Sequence, residues 1–329
     1  MKPVLLLCCL LAAVPEAAAP SAAPDKATLK PPKLSKLQAP AGYLKTERLM
    51  NRLAEDAERG QVLSEYRTHV KYVEEKVRER SSLLRGGKFT NLHIYREEYD
   101  DDGKLLMRER ERAKEFFPPR PLDEAVKRAK YEKRLKLVKS GTGKALVYEH
   151  WVDGKLTSAD VIRLWEGVPE KYLDNNDIKG FYLAYGFENY RLHQELYAAV
   201  DERQYSNGYL ESRFWREATG DVRRDITRYY YPGSNQIRDN TYTEDASPAY
   251  STAYHPNGVL SMEADYGRGK SCSSDHRWYN EQGQLIRHDY SKPAKQGCRN
   301  VHEDYEKGRR SVTVYGEDGR RVVEERTGG

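Results

Sequence analysis

Two segments of the chain place a histidine four residues after a cysteine: Cys272 with His276, and Cys298 with His302. Two thiolates and two imidazoles can hold zinc tetrahedrally. The same cysteines can also join to each other. They are the two that remain if an N-terminal export signal carrying Cys8 and Cys9 is removed, and an even pair in an exported chain favours a disulfide. In the chain-entropy model its closed loop would stabilise the fold by about 3–4 kcal/mol. Zinc is the alternative. Other reactive constellations are incomplete. Ser140-Gly141-Thr142-Gly143-Lys144-Ala145 has the texture of a phosphate loop. However, Val138 stands where the first glycine belongs, and Ala145 stands where a hydroxyl would meet magnesium. The chain has no Gly-x-Ser-x-Gly elbow and no His-Glu-x-x-His pair. His69, His93, His150, His193, His255 and His288 share no spacing. Acidic residues are abundant, and none forms a distinguished pair. The expectation is a chain that is not an enzyme and carries no cofactor.

The strongest pattern is a repeat. Gly208, Gly233, Gly258, Gly283 and Gly308 lie 25 residues apart, most of them in turn contexts such as Ser206-Asn207-Gly208, Pro256-Asn257-Gly258 and Glu281-Gln282-Gly283. Tyr205, Tyr231, Tyr254, Tyr279 and Tyr305 keep step just before these glycines, and a second set comprises Tyr242, Tyr266 and Tyr290. A fixed period of this length marks stacked supersecondary units. In one unit a strand ends in tyrosine, glycine supplies positive φ at little steric cost, and a second strand returns. An isolated hairpin is marginal in water, so neighbouring hairpins must pair. The fold class expected is mainly β, a meandering antiparallel sheet of stacked hairpins with an N-terminal helical region. Equivalent tyrosines would form a cross-strand aromatic ladder, the candidate binding surface. Two adjacent units also align around the cysteines: Asp265-Tyr266 … Cys272 … His276 … Tyr279 against Asp289-Tyr290 … Cys298 … His302 … Tyr305. Equivalent positions of stacked units come close, which supports a Cys272–Cys298 bond.

The stretch Tyr254-His255-Pro256-Asn257-Gly258-Val259-Leu260, continuing through Tyr266-Gly267-Arg268-Gly269-Lys270, resembles one unit of the MORN-repeat variant found in many bacterial proteins. That family looks like Tyr-x-x-Asn-Gly-x-Leu, a few polar residues, then Tyr-x-x-Gly-Lys. Tyr279 to Leu285 and Tyr99 to Leu105 match its first half apart from the Asn, and there is a weaker similarity to the YD repeats of Rhs-type shells. The unit at 298–310 departs from the pattern, because Gly308 is followed by Arg309-Arg310 without the Leu. The resemblance implies a meandering sheet with a binding or scaffolding role, and some relatives carry an antitoxin label.

The remaining elements must position these repeats. Val4 to Val14 is an apolar run behind Lys2, followed by Ala/Pro-rich sequence, so residues 1–23 read as a secretory signal. Residues 24–41 read as a solvated linker. Residues 42–87 read as a helical region, because Leu49, Leu53 and Ala57, then Leu63, Tyr66, Val70, Val73 and Val77, recur at three and four. Thr46-Glu47 is its predicted start, Gly86-Gly87 its stop, and Gly60 a break between two helices. Residues 88–200 read as mixed. Hairpin signals fall at Tyr99–Leu105 and Val152-Asp153-Gly154-Lys155, a helix is expected over 121–138 and a strand over Leu146–Trp151. Residues 201–329 are the hairpin repeats.

The 329 residues include 25 Tyr, 6 Phe and 4 Trp, enough to bury and so to argue against full disorder. The net charge of +5 arises from 56 basic against 51 acidic residues, a near balance that gives no case for nucleic acid. No apolar run approaches the roughly 20 residues of a membrane-spanning helix. The expectation is a bacterial protein, periplasmic or secreted, that binds or scaffolds a protein partner. A glycan or peptidoglycan binder using Trp215 and Trp278 is the alternative, and a hydrolase with its site in 88–200 is a third reading.

Overall fold

A computed structural model describes residues 37, 39–78, 90–110, 122–140, 143–164, 178–185, 197–219, 222–267, 272–293, 298–305, 310–315 and 320–327. The predicted signal, most of the predicted linker, the Gly86-Gly87 stop and the Gly308 turn lie outside these residues. The chain enters through α1 (Ala41–Arg59) and then runs β1 (Val62–Arg78), β2 (Thr90–Asp100) and β3 (Leu105–Arg110). A single turn of helix, α2 (Glu124–Arg128), precedes β4 (Tyr131–Ser140), β5 (Gly143–Val152) and β6 (Lys155–Leu164). After α3 (Ile178–Tyr185) come β7 (Tyr197–Ser206), β8 (Tyr209–Thr219), β9 (Val222–Tyr230), β10 (Ile237–Glu244), β11 (Ser247–Tyr254) and β12 (Leu260–Asp265). The last strands are β13 (Asp275–Tyr279), β14 (Leu285–Pro293), β15 (Cys298–Asp304), β16 (Arg310–Tyr315) and β17 (Arg321–Thr327). All 17 strands belong to one antiparallel sheet. β1 sits between β2 and β4, with β3 on the outer side of β2. From β4 onward each strand pairs with the next to the end of the chain. The mainly-β meander and its N-terminal helix stand as expected.

The repeat has a local cause. At Asp100–Lys104, His255–Val259 and Asn280–Gln284 the same two backbone bonds close the turn. In each, the first residue's N–H reaches the carbonyl four residues on, and the glycine N–H returns to the first residue's carbonyl, all at 2.8–3.0 Å. Gly103, Gly258 and Gly283 have φ of +78°, +83° and +78°. A left-handed residue that throws a bulge into the strand is how such short hairpins match strand twist. The ladder shifts just before each turn, and there the repeat's tyrosine faces its leucine: Tyr99 with Leu105, Tyr254 with Leu260, and Tyr279 with Leu285.

Two helices predicted from sequence are mostly strand. The predicted 42–87 helix stops at Gly60, whose φ −68°, ψ 150° is extended, and residues 62–78 form β1. Tyr66, Val70, Val73 and Val77 are β-branched or aromatic residues suited to a strand, and their three-and-four spacing was coincidental. Thr46 lies buried inside α1 rather than capping it. The predicted 121–138 helix shrinks to α2, started by the Asp123 side chain accepting from the Ala125 N–H, because Leu135, Leu137 and their neighbours extend into β4.

α1 lies across one face of the sheet. Tyr43 meets Tyr242 and Tyr250, while Met50 and Leu53 pack in the same cluster as Val138, Ala145, Val161 and Trp215. α3 covers the opposite face, where Phe181 and Ile178 pack with Leu135, Leu137, Leu146 and Tyr148. Strands β4 and β5 are therefore buried on both sides. Length limits this cover. A 19-residue helix is roughly 28 Å long, about six strand spacings, against sixteen spacings in the whole sheet.

Candidate functional site

Under α1 the sheet shows two cross-strand rows. One is mostly apolar: Trp215 opposite Ile226, Ile226 opposite Tyr242, and Tyr242 opposite Tyr250. The other is polar: Arg203, Arg213, Arg228, Asn240. α1 meets each of these groups. Arg228 donates to Glu47 at 2.5 Å and to Asn240 at 3.2 Å, and Arg213 donates to the Met50 carbonyl at 3.2 Å. Asp201 accepts from Arg213 at 2.8 and 2.6 Å and from Arg203 at 3.0 Å. Burial alone would push the Asp201 carboxyl up, but the two guanidiniums more than offset it and hold it at about 2. Tyr242 and Tyr254 of the predicted ladder are buried here, as is Trp215 at 1% exposure. These three pack the core and face no solvent. Burial, reinforced by the Glu47 charge, also pushes the Tyr43 hydroxyl well up.

Beyond β11 the same rows continue without a described helix over them, and their chemistry changes. Tyr250 is followed across the strands by Asp265, Asp275 and Tyr290. The polar row continues as Glu263, Arg277, His288 and Glu303. Here the tyrosines of the predicted ladder tie down carboxylates. Tyr279 donates to Glu263, and Tyr290 and Tyr305 both donate to Glu303. His288 lies 2.8 Å from Asp275. Burial raises the Glu263 carboxyl, and the Tyr279 hydrogen bond and the Arg277 charge only partly offset it. Tyr205 faces Leu210, and Tyr231 donates to the Tyr254 carbonyl at 2.7 Å. These aromatics brace the hairpins internally.

The opposite face of β8–β15 differs again. Reading across the strands, Tyr229, Asp239, Ala253, Met262, Trp278 and Arg287 form one row. Phe214, Thr227, Thr241, Ser251, Ala264 and His276 form the next. Three aromatic rings each carry a guanidinium over the face: Arg216 on Phe214 at 4.9 Å, Arg238 on Tyr229 at 5.3 Å, and Arg287 on Trp278 at 4.9 Å. Tyr229 and Tyr266 are each 41% exposed. Tyr266, His276 and Trp278 meet edge to face. Of the predicted site residues, this face gathers Tyr266, Trp278, His276 and His302. Phe214, Tyr229, Met262 and the three arginines were missed. The signal for Phe214 was present in the sequence: its neighbour Trp215 must point the other way in a strand.

Cys272 and Cys298 form a disulfide with Cα atoms 5.2 Å apart, as the aligned repeats predicted. With both sulfurs bonded to each other, the alternative zinc set of Cys272, His276, Cys298 and His302 has no thiolates. His302 Nδ1 instead lies 2.8 Å from Asp289. Among the described residues there is no cluster of three or more metal-ligating side chains. Among the described residues no helix is long and apolar enough to cross a membrane.

No protein-family model matches the chain, and a search of curated proteins returns no match.

Proposed function

We propose that this is a non-catalytic scaffold of the bacterial envelope, exported and built of MORN-variant-like hairpins, that binds a protein partner through the face of β8–β15 opposite α1. The observation that supports this most is the set of arginine-stacked aromatics spread over two adjacent rows of this face. Tryptophan, tyrosine and arginine are the residue types that dominate binding energy at protein interfaces. Here they stand on rigid paired strands, which reduces the ordering entropy that binding must overcome. Thr227 and Thr241 beside them offer neutral hydrogen-bonding groups.

A photo-crosslinking residue placed at Met262 in the full-length chain, expressed in its native host, tests the reading. A protein adduct of discrete mass is expected, and it should fall at least tenfold with Trp278→Ala or Arg287→Ala. A crosslinker at Arg52, on the outer side of α1, should give no such adduct. Adducts of equal yield from both positions, or none from Met262, would overturn it.

A further inference from the structure

A cavity of about 800 Å³ opens on the α3-bearing face of the sheet, several strands across from the arginine-stacked aromatics. Its size falls within the range of small-molecule sites. Three adjacent cross-strand rows build it. The outermost is Glu109, Arg96 and Tyr72 on β3, β2 and β1. The middle row is Glu98, Val70, Tyr131 and Val152 on β2, β1, β4 and β5. The innermost is Asp100, Thr68, Lys133 and His150. Paired residues share a face, so the register alone sends these side chains to one side.

The charges that these three rows send to this face are paired, Asp100 with Lys179 at 3.6 Å among them. Lys133, 4% exposed, donates to Glu98 at 3.1 Å, and Glu98 also accepts from Thr68 at 2.6 Å. Arg96 pairs with Glu109 at 3.6 Å. A site with paired ions has no surplus charge for an anion or a cation. It does present fixed donors and acceptors beside apolar walls. Tyr72 and Tyr131 meet edge to face at 5.4 Å and leave aromatic surface against Val70 and Val152. A sugar ring has this combination in reverse, with an apolar C–H face and a rim of hydroxyls that both donate and accept. An aromatic ring covers the first, and fixed charged pairs satisfy the second.

We infer that this cavity binds a neutral saccharide, with Tyr131 and Tyr72 packing the ring and Arg96, Lys133 and His150 at its hydroxyls. The site is independent of the protein-binding face, so either can fail without the other.

The test is isothermal titration of the full-length protein with cellobiose, maltose and N,N′-diacetylchitobiose, with glucuronate and inorganic phosphate run in parallel. At least one neutral disaccharide should bind saturably. Tyr131→Ala should weaken it about tenfold, whereas Tyr131→Phe, which keeps the ring, should stay within about threefold. His150→Ala, at a partly exposed position that leaves the Lys133–Glu98 pair in place, should weaken it about fivefold. An unchanged thermal midpoint separates lost binding from lost folding. Binding of glucuronate or phosphate alone, or of none of the five probes, would overturn the inference. So would saccharide binding that survives both alanine changes.

Discussion

The half of the sheet beneath α1 and the half beyond β11 share one hairpin design and one set of cross-strand rows, yet they hold together differently. Under the helix, Trp215, Ile226, Tyr242 and Tyr250 form a continuous apolar strip, and the arginines of the neighbouring row end on acceptors that α1 carries. Beyond it, the same register positions become Asp265, Asp275, Tyr290, Arg277 and His288, and cross-strand bonds appear among the polar side chains, His288 with Asp275 and Tyr290 with Glu303. A sheet face needs a hydrophobic strip where something covers it. Where no described helix covers it, side-chain pairs between strands take over, and a disulfide is added.

Five measurements can break or sharpen that contrast. The largest effect is expected at the buried ion cluster. Arg213→Met strands Asp201 without its bidentate partner and should destabilise by about 3–5 kcal/mol, while Arg287→Met, at an exposed pair, should cost about 1 kcal/mol or less. Urea unfolding of both variants decides it, and equal losses would erase the distinction. Met50→Ala removes a fully buried side chain between α1 and the sheet and should cost about 2–5 kcal/mol. Ile286→Ala, at a position 40% exposed beyond β11, should stay within about 0.5 kcal/mol.

Replacing Cys272 and Cys298 by serine should cost about 2–4 kcal/mol, localised beyond β11. Amide exchange should then quicken in β12–β15 and stay unchanged in β5–β9. Gly258→Ala and Gly103→Ala each put a side chain at strongly positive φ with no steric obstacle, so each should cost about 1 kcal/mol. Equal values would show that the turn works identically at β2–β3 and at β11–β12.

The two buried carboxyls respond to pH in opposite senses. Asp201, held at about 2, lies below its unfolded value, so its contribution is complete above about pH 4 and is lost as pH falls toward 2. Glu263 lies above its unfolded value, so the stability it contributes when protonated is lost as pH rises through its folded pKa. Glu263→Gln should therefore raise the urea midpoint at pH 7 relative to wild type and raise it less at pH 4. A variant equally stabilised at both would show that Glu263 is not the source. This is the smallest effect of the five.

Much of the architecture was legible from particular residues. Gly103, Gly154, Gly208, Gly258 and Gly283 announced their turns, since few side chains tolerate that backbone, and Tyr with Leu flanked most of them. The Cys272–Cys298 link followed from repeat alignment. What misled was periodicity in mixed segments. Val70, Val73 and Val77 copy a helical stripe by chance, and Leu135 with Leu137 sits beside enough lysine and arginine to look amphipathic. The saccharide cavity was not legible, because its rows join β1 to β4 across some fifty residues of chain, and no local pattern encodes that pairing.

Sequence by itself determined the hairpin, its period and its closure, because these depend on φ preferences and contacts within a few residues. Which tyrosines became core, which became braces and which reached solvent was decided only by the tertiary structure. That division follows from where a helix of limited length comes to rest on a sheet more than twice as wide.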